Sequence, residues 1–231
     1  MAEFVVVSGI ADRMFQAITI WVGRTPGGLA VATALAGAGF GAISGSSTAA
    51  AAALSSTSIP AMRRAGYEPK FSAGVVAVSG TLAMLIPPSI ALVLYGIIVE
   101  VNIADLLIGG VIPGILVTLA IIATIYVLLW RDPTIAPTEQ PWSWRAKLMA
   151  MREIAPMLVL LLCVTGSIYL GVATPTEAAG LGAFGAFVIA AAFRKLTLAT
   201  TWGALTRAVR ATCMIFLIII AFCAIFGPSL L

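Results

Sequence analysis

The chain is 231 residues long, 61% hydrophobic and only 10% charged, with a mean hydropathy of +1.11. Soluble domains carry about 25% charged residues, so this composition excludes an ordinary soluble globular fold and implies an integral membrane protein. The net charge of +4 is not a nucleic-acid signal, because the basic residues sit in short connections rather than on one face, the pattern of a positive-inside bias.

Residues 1–22 read as the end of a membrane helix followed by an amphipathic stretch with Ile10, Met14, Phe15, Ile18 and Trp21 on one face, suited to the membrane interface. No basic segment precedes the first apolar residues, so no cleavable leader is expected. "GRTPGG" at 23–28 breaks the chain. Apolar residues 29–43 lead to the uncharged tip "SGSST" at 44–48, residues 49–59 are apolar again, and Pro60 precedes the polar connection "MRRAGYEPK". The apolar segment 71–99 is interrupted by Pro87-Pro88. Proline lacks the helical N–H donor and its ring clashes with the preceding turn, so the pair predicts an unwound or kinked point.

An acidic turn at 100–105 precedes a second span, 106–130, with a kink expected at Pro113. Residues 131–153 form the clearly aqueous connection, its Trp142 and Trp144 suited to the headgroup layer. A span at 155–171, the turn "VATPTEAAG" and a return at 178–193 lead to Arg194-Lys195. Residues 197–211 are again amphipathic, with Arg207 and Arg210, and a final apolar run begins at 213 and reads as cut short, as in a piece of a longer chain. There is no histidine, and Cys163, Cys213 and Cys223 lie in apolar helices without CxxC spacing, which reads as small buried packing residues.

Charge gives a topology. The basic connections hold Arg63, Arg64 and Lys70; Arg131, Arg145, Lys147 and Arg152; and Arg194 and Lys195, while the turns between them carry only acidic residues. Two spans separate successive basic connections, so all three can face the cytoplasm. Arg24 and Arg63/Arg64 then flank residues 28–59 from one side, and that segment must enter the membrane and return. Its first arm, 28–43, would rise about 24 Å, which makes Ser44–Thr48 the tip of a re-entrant hairpin.

Non-helical backbone inside a bilayer is tolerated only where protein or a watery cavity satisfies it. The tip residues Ser44, Gly45, Ser46, Ser47 and Thr48 supply neutral oxygens, which suit a hard cation. Pro87-Pro88-Ser89 offers freed carbonyls, and helix ends meeting there bring partial charges of both signs. A hairpin tip and an interrupted span converging near midplane is the usual geometry of an ion-coupled secondary transporter. Plainer readings stand beside each part. The small residues of 36–53 also suit close helix packing, and the Pro pair also suits a structural kink. Thr174-Pro175-Thr176-Glu177 also reads as a helix start with an N-cap threonine and Pro at the first position.

"GRTPGGLAVATALAGAGFGAISGSSTAAAAALSSTSIPAMRRAGYEPKFSAGVVAVSGTLAMLIPPSIALVLYG" resembles the large membrane subunit of tripartite ATP-independent periplasmic (TRAP) transporters, the DctM-like permeases. The matching pieces include GGLA at 27–30, SGSS at 44–47, Ile59, Pro60, Met62, Gly66 and Tyr67, SGTL at 79–82 and PPSI at 87–90, then "GGVIPGIL" at 109–116 and "YLGVATPTEAA" at 169–179. The resemblance implies an all-α polytopic membrane protein of elevator type, related in fold to ion transporters, sitting in the bacterial inner membrane. It implies sodium as the coupling ion, with no other cofactor. It also implies a small four-helix Q subunit and a periplasmic binding protein (P) as partners. The substrate would be a carboxylate such as a C4-dicarboxylate, sialic acid or another sugar or keto acid.

Carried onto this chain, the sodium and substrate residues are Ser44, Gly45, Ser46, Ser47 and Thr48 at the tip, with Na+ held through Ser44–Ser47, and Thr81, Pro87, Pro88 and Ser89 at the broken helix. Thr174, Thr176 and Glu177 form a secondary candidate group. The family has two inverted repeats, whereas one SGSS tip and one PPS break occur here, so the expectation is one repeat and the opening of a second. The parts are then a helix end and arm (1–26), the hairpin (27–60), the broken helix (61–103), a span with its cytoplasmic connection (104–153), and the opening of the second repeat (154–231).

A secondary transporter working without a periplasmic binding protein is the main alternative, since hairpin-plus-break physics is common to several families. A membrane scaffold with no solute path is another. An intramembrane serine hydrolase, suggested by Ser44-Gly45, lacks an activating base. The chain has no histidine, and Lys70, Lys147 and Lys195 fall in aqueous connections, so no enzymatic activity is expected.

Overall fold

The structure is a computed structural model that describes residues 2–23, 25–136, 144–193 and 196–226. Arg24, Trp142, Arg194 and Lys195 lie outside the described residues, as do the side chains of Ile10, Trp144, Arg145, Arg152 and Cys223. Ten α-helices follow one another, with no strand among the described residues. They are α1 Ala2–Ser8, α2 Ile10–Val22, α3 Gly28–Ser44, α4 Ser47–Arg64, α5 Pro69–Thr81, α6 Ile90–Ile98, α7 Ile103–Arg131, α8 Trp144–Tyr169, α9 Pro175–Ala192 and α10 Leu198–Phe226. Four of them (α7, most of α8, α9 and most of α10) are long and apolar enough to cross a membrane. The protein is an all-α membrane protein.

Its centre is a three-helix unit of α3, α4 and α5. α3 and α4 run antiparallel around the 45–46 turn, and α5 lies along both. Small residues let the backbones meet: a Cβ on Gly37 would fall 2.6 Å from the Ser79 carbonyl oxygen, and one on Gly80 would fall 2.9 Å from Ala51 Cβ. Phe40, Ile43, Leu54, Met62, Val75, Val76 and Leu82 fill the space between. α3 has buried residues all round (Leu29, Val31, Ala34, Phe40, Ile43 among them), which is how a helix enclosed by protein reads.

α2 lays its apolar face on this unit and on α8. Met14 and Phe15 are buried and Ile18 is partly buried, as the amphipathic pattern predicts, while Trp21 stays exposed beneath the Lys147 ammonium, 5.6 Å from the ring centroid. Thr57 of α4 also donates a hydrogen bond to Asp12 of α2, and Arg13 sits 4.2 Å above the Phe193 ring at the end of α9. The Arg207–Glu3 ion pair, 2.6 Å long, ties α10 to α1.

Three boundaries differ from the sequence reading. α4 continues through Pro60 to Arg64, because a helix interrupted by one missing donor is carried by its packing on α5. α8 begins at Trp144, inside the connection read as aqueous to residue 153. No boundary separates 197–211 from the run at 213: α10 is continuous, and the Thr212 hydroxyl is absorbed by donating to the Ala208 carbonyl, 2.9 Å away. The cysteines are also corrected, for Cys163 and Cys213 are exposed rather than buried. They occupy exposed faces of α8 and α10 among the described residues, and a weakly polar thiol is compatible with lipid there.

Candidate functional site

The hairpin tip is shaped by its glycine and serines. α3 ends on Gly45 in the left-handed conformation (φ 60°, ψ 9°), its N–H donating to the Gly41 carbonyl at 2.8 Å. A Cβ-bearing residue adopts that conformation only with strain. Ser46 is extended and caps α4, its Oγ accepting from Ala49 N–H at 3.4 Å. Ser46 N–H donates to Ser44 Oγ at 3.4 Å, and the Ser46 and Thr48 hydroxyls lie 3.0 Å apart. Ser44 is buried, Ser46 and Ser47 are half-buried and Thr48 is exposed. The tip thus grades from protein interior to open surface.

The broken helix is built from the proline pair. α5 ends at Thr81 and tightens into a 3₁₀ turn at Leu82–Met84, and the helix resumes only at Ile90. The Ala83 and Met84 carbonyls would bond the N–H of residues 87 and 88 in a continuing helix, and both positions are proline. Ser89 repairs half of this loss. Its hydroxyl donates to the Met84 carbonyl at 2.6 Å while its Oγ accepts from Leu92 N–H at 3.5 Å, capping α6.

Tip and break are in direct contact. Ile90 N–H donates to the Gly45 carbonyl at 3.2 Å, and a Cβ on Gly45 would collide with the Pro88 carbonyl oxygen. The two elements that the sequence marks 40 residues apart therefore form one site, joined backbone to backbone.

Further glycines, unmarked as site residues in the sequence, cradle the break. A Cβ on Gly41 would lie 2.6 Å from Ala83 Cα, one on Gly110 would lie 2.8 Å from the Leu85 oxygen, and one on Gly114 would lie 2.8 Å from Ile86 Cγ1. The Gly110–Gly114 spacing, one turn apart on α7, was the available signal. These contacts also fix the site's depth. Counting from Gly110 and Gly114, the break lies about 25–32 Å from the Arg131 end of α7 and about 10–17 Å from its Ile103 end, at about 1.5 Å per residue.

The other candidates stand apart. Thr81 is exposed and its hydroxyl donates to the Val78 carbonyl at 2.7 Å. Thr174 and Glu177 form a capping box, with the Glu177 carboxylate accepting from both the N–H and the hydroxyl of Thr174 at 2.8 Å. Thr176 is exposed on the first turn of α9. No hydrogen bond among the described residues joins these groups to the tip. Two serines that the sequence reading did not name as site residues, Ser58 and Ser79 (the latter in the SGTL motif), have fully buried hydroxyls with no hydrogen-bond partner among the described residues. Also among the described residues, no cluster of three or more His, Cys, Asp or Glu side chains could hold a metal ion.

The family model of the tripartite ATP-independent periplasmic transporter DctM component matches residues 1–229. The chain is 38% identical over 217 residues to the C4-dicarboxylate TRAP transporter large permease protein DctM of Pseudomonas aeruginosa, covering 94% of this chain and 50% of that protein. Against the ectoine/5-hydroxyectoine TRAP transporter large permease protein UehC of Ruegeria pomeroyi it is 34% identical over 210 residues, covering 90% and 49%. Against the sialic acid TRAP transporter permease protein SiaT of Haemophilus influenzae it is 33% identical over 217 residues, covering 91% and 34%. The chain spans half or less of the length of these relatives. With its motifs in family order and a family match along almost its whole length, the chain belongs to the DctM membrane components of TRAP transporters.

Proposed function

We propose that this chain forms the first hairpin and broken helix of a permease subunit that imports an organic acid together with sodium across the bacterial inner membrane. The observation that carries the reading is the Gly45 carbonyl to Ile90 N–H bond, which holds two non-helical backbone segments against each other deep along α7. Non-helical backbone at that depth is affordable only where protein or an aqueous cavity satisfies it. The neutral oxygens of Ser44, Gly45, Ser46 and Ser47 suit a small alkali cation, and Thr48 extends the same surface outward. The N-terminus of α6, capped by Ser89, lends positive dipole character toward an anionic substrate.

α3 to α6 would move as a body against the remaining helices, in the manner of an elevator. An organic acid would arrive from a periplasmic binding protein, and a small Q subunit would brace the scaffold. One net positive charge entering gains about 2.3 kcal/mol per 100 mV, and each tenfold sodium gradient adds about 1.4 kcal/mol, enough to concentrate a substrate. The named relatives handle C4-dicarboxylates, ectoines and sialic acid, so the carboxylate class is proposed without a single member.

The test uses the full permease in proteoliposomes. Ser46→Leu and Ser47→Leu should each abolish sodium-dependent uptake while membrane insertion is intact, and unchanged uptake would overturn the tip assignment. Uptake undiminished without the periplasmic binding protein would favour a transporter that works alone.

A further inference from the structure

The end of the molecule opposite the α6–α7 turn carries a basic, partly apolar surface depression that the transport reading does not use. Ile59, Pro60, Arg63 and Arg64, all on one face of α4, line this shallow, wide-open cavity. Both arginines are exposed, and neither is ion-paired with a carboxylate among the described residues. The Asp132 carboxylate after α7 is already committed, accepting from the N–H of Thr134 at 3.1 Å and from its hydroxyl at 2.6 Å.

Three contacts fix where this cavity stands. Leu29 N–H donates to the Tyr67 hydroxyl at 3.3 Å, Glu68 N–H donates to the Ile135 carbonyl at 3.1 Å, and Gly27 abuts Leu129. The start of α3, the end of α4, the start of α5 and the end of α7 therefore share one level. At that level the long apolar span of α7 finishes in Trp130, 86% exposed, and Arg131, and Lys70 is exposed at the start of α5. An exposed tryptophan and basic residues closing a span mark the headgroup layer.

We propose that this cavity binds the headgroup of an anionic phospholipid. The phosphodiester would sit between the Arg63 and Arg64 guanidinium groups, which are suited to phosphate oxygens as forked donors. Ile59 and Pro60 would face the glycerol and the first acyl carbons. Charge complementarity and the split lining select a lipid over a soluble phosphate, which has no apolar portion to match half of the cavity. Lys70 and Arg131 supply the surrounding positive field that anionic membranes favour. The proposal shares with the transport reading only the membrane setting, and it is read out by binding rather than by uptake.

The full permease in detergent, examined by native mass spectrometry with added phosphatidylglycerol, phosphatidylcholine or inorganic phosphate, decides it. Phosphatidylglycerol should be retained at least fivefold more than phosphatidylcholine. Arg63→Gln with Arg64→Gln should remove that preference, and Arg63→Lys with Arg64→Lys should keep part of it. Retention of phosphatidylglycerol by the double glutamine variant equal to that of the unaltered protein would overturn the proposal. So would competition by inorganic phosphate at the lipid's own concentration. Thermal unfolding in lipid-free detergent, expected to match for all variants, separates lost binding from lost folding.

Discussion

The hairpin unit and the C-terminal helices are written in similarly greasy sequence and end in opposite states. Of the 17 residues of α3, 14 are buried, whereas only 6% of the most apolar window of α10 is. Hydropathy does not separate the two; residue size does. α3 is mostly Gly and Ala, which bring backbones close, while α10 presents Phe216, Leu217, Ile218 and Ile220 outward. Small residues build contacts between helices in a membrane, and large ones suit lipid or a partner surface. The dense region holds the candidate site, and the sparse one keeps its large apolar side chains exposed.

Gly45→Val should have the largest effect on this contrast. It places a β-branched residue in a left-handed conformation and drives Cβ into the Pro88 carbonyl, for a cost of about 3 kcal/mol or more. The full permease should show a sharply lowered unfolding temperature. An unchanged one would mean that the hairpin does not dock on the break.

Ser89→Ala comes next. It removes an α6 cap and the donor to the Met84 carbonyl, worth about 1–2 kcal/mol together. Hydrogen exchange should quicken at the first amides of α6 while those of α3 and α4 hold steady. Faster exchange throughout the unit would show that it is less self-sufficient than its burial implies. The smallest effect is expected in the sparse region. Glu3→Gln weakens a partly exposed ion pair between α1 and α10 worth about 0–1 kcal/mol, so exchange should rise only in α1 and around Arg207 of α10. Any rise in α3–α5 would erase the distinction between the two regions.

Much of the site was legible before any coordinates. Serine and glycine between apolar arms announce a turn that lipid cannot surround, and adjacent prolines announce lost donors. Both statements are local, and the chain does turn at Gly45-Ser46 and leaves the helix before Ile90. What stayed hidden depends on who stands next to whom. Gly41, Gly110 and Gly114 look like any small residue in a greasy helix until the break is seen lying on them. The exposed Cys163 and Cys213 resemble core residues because a face turned to lipid and a face turned to protein have the same polarity. The continuity of α10 past residue 212 was missed because charged residues up to Arg210 imitate an interfacial helix, while Glu3 on α1 supplies a partner for Arg207.

The bond from Ile90 to Gly45 has one more consequence. It is formed by main chain on both sides, so almost any exchange of hydroxyl-bearing neighbours leaves it standing. Substitutions at Ser46, Ser47 or Thr48 therefore change the side chains presented at the tip without removing the bond that aligns the two segments. The alignment of the two segments is thus set by main chain, and the chemistry displayed around it by side chains that can vary independently.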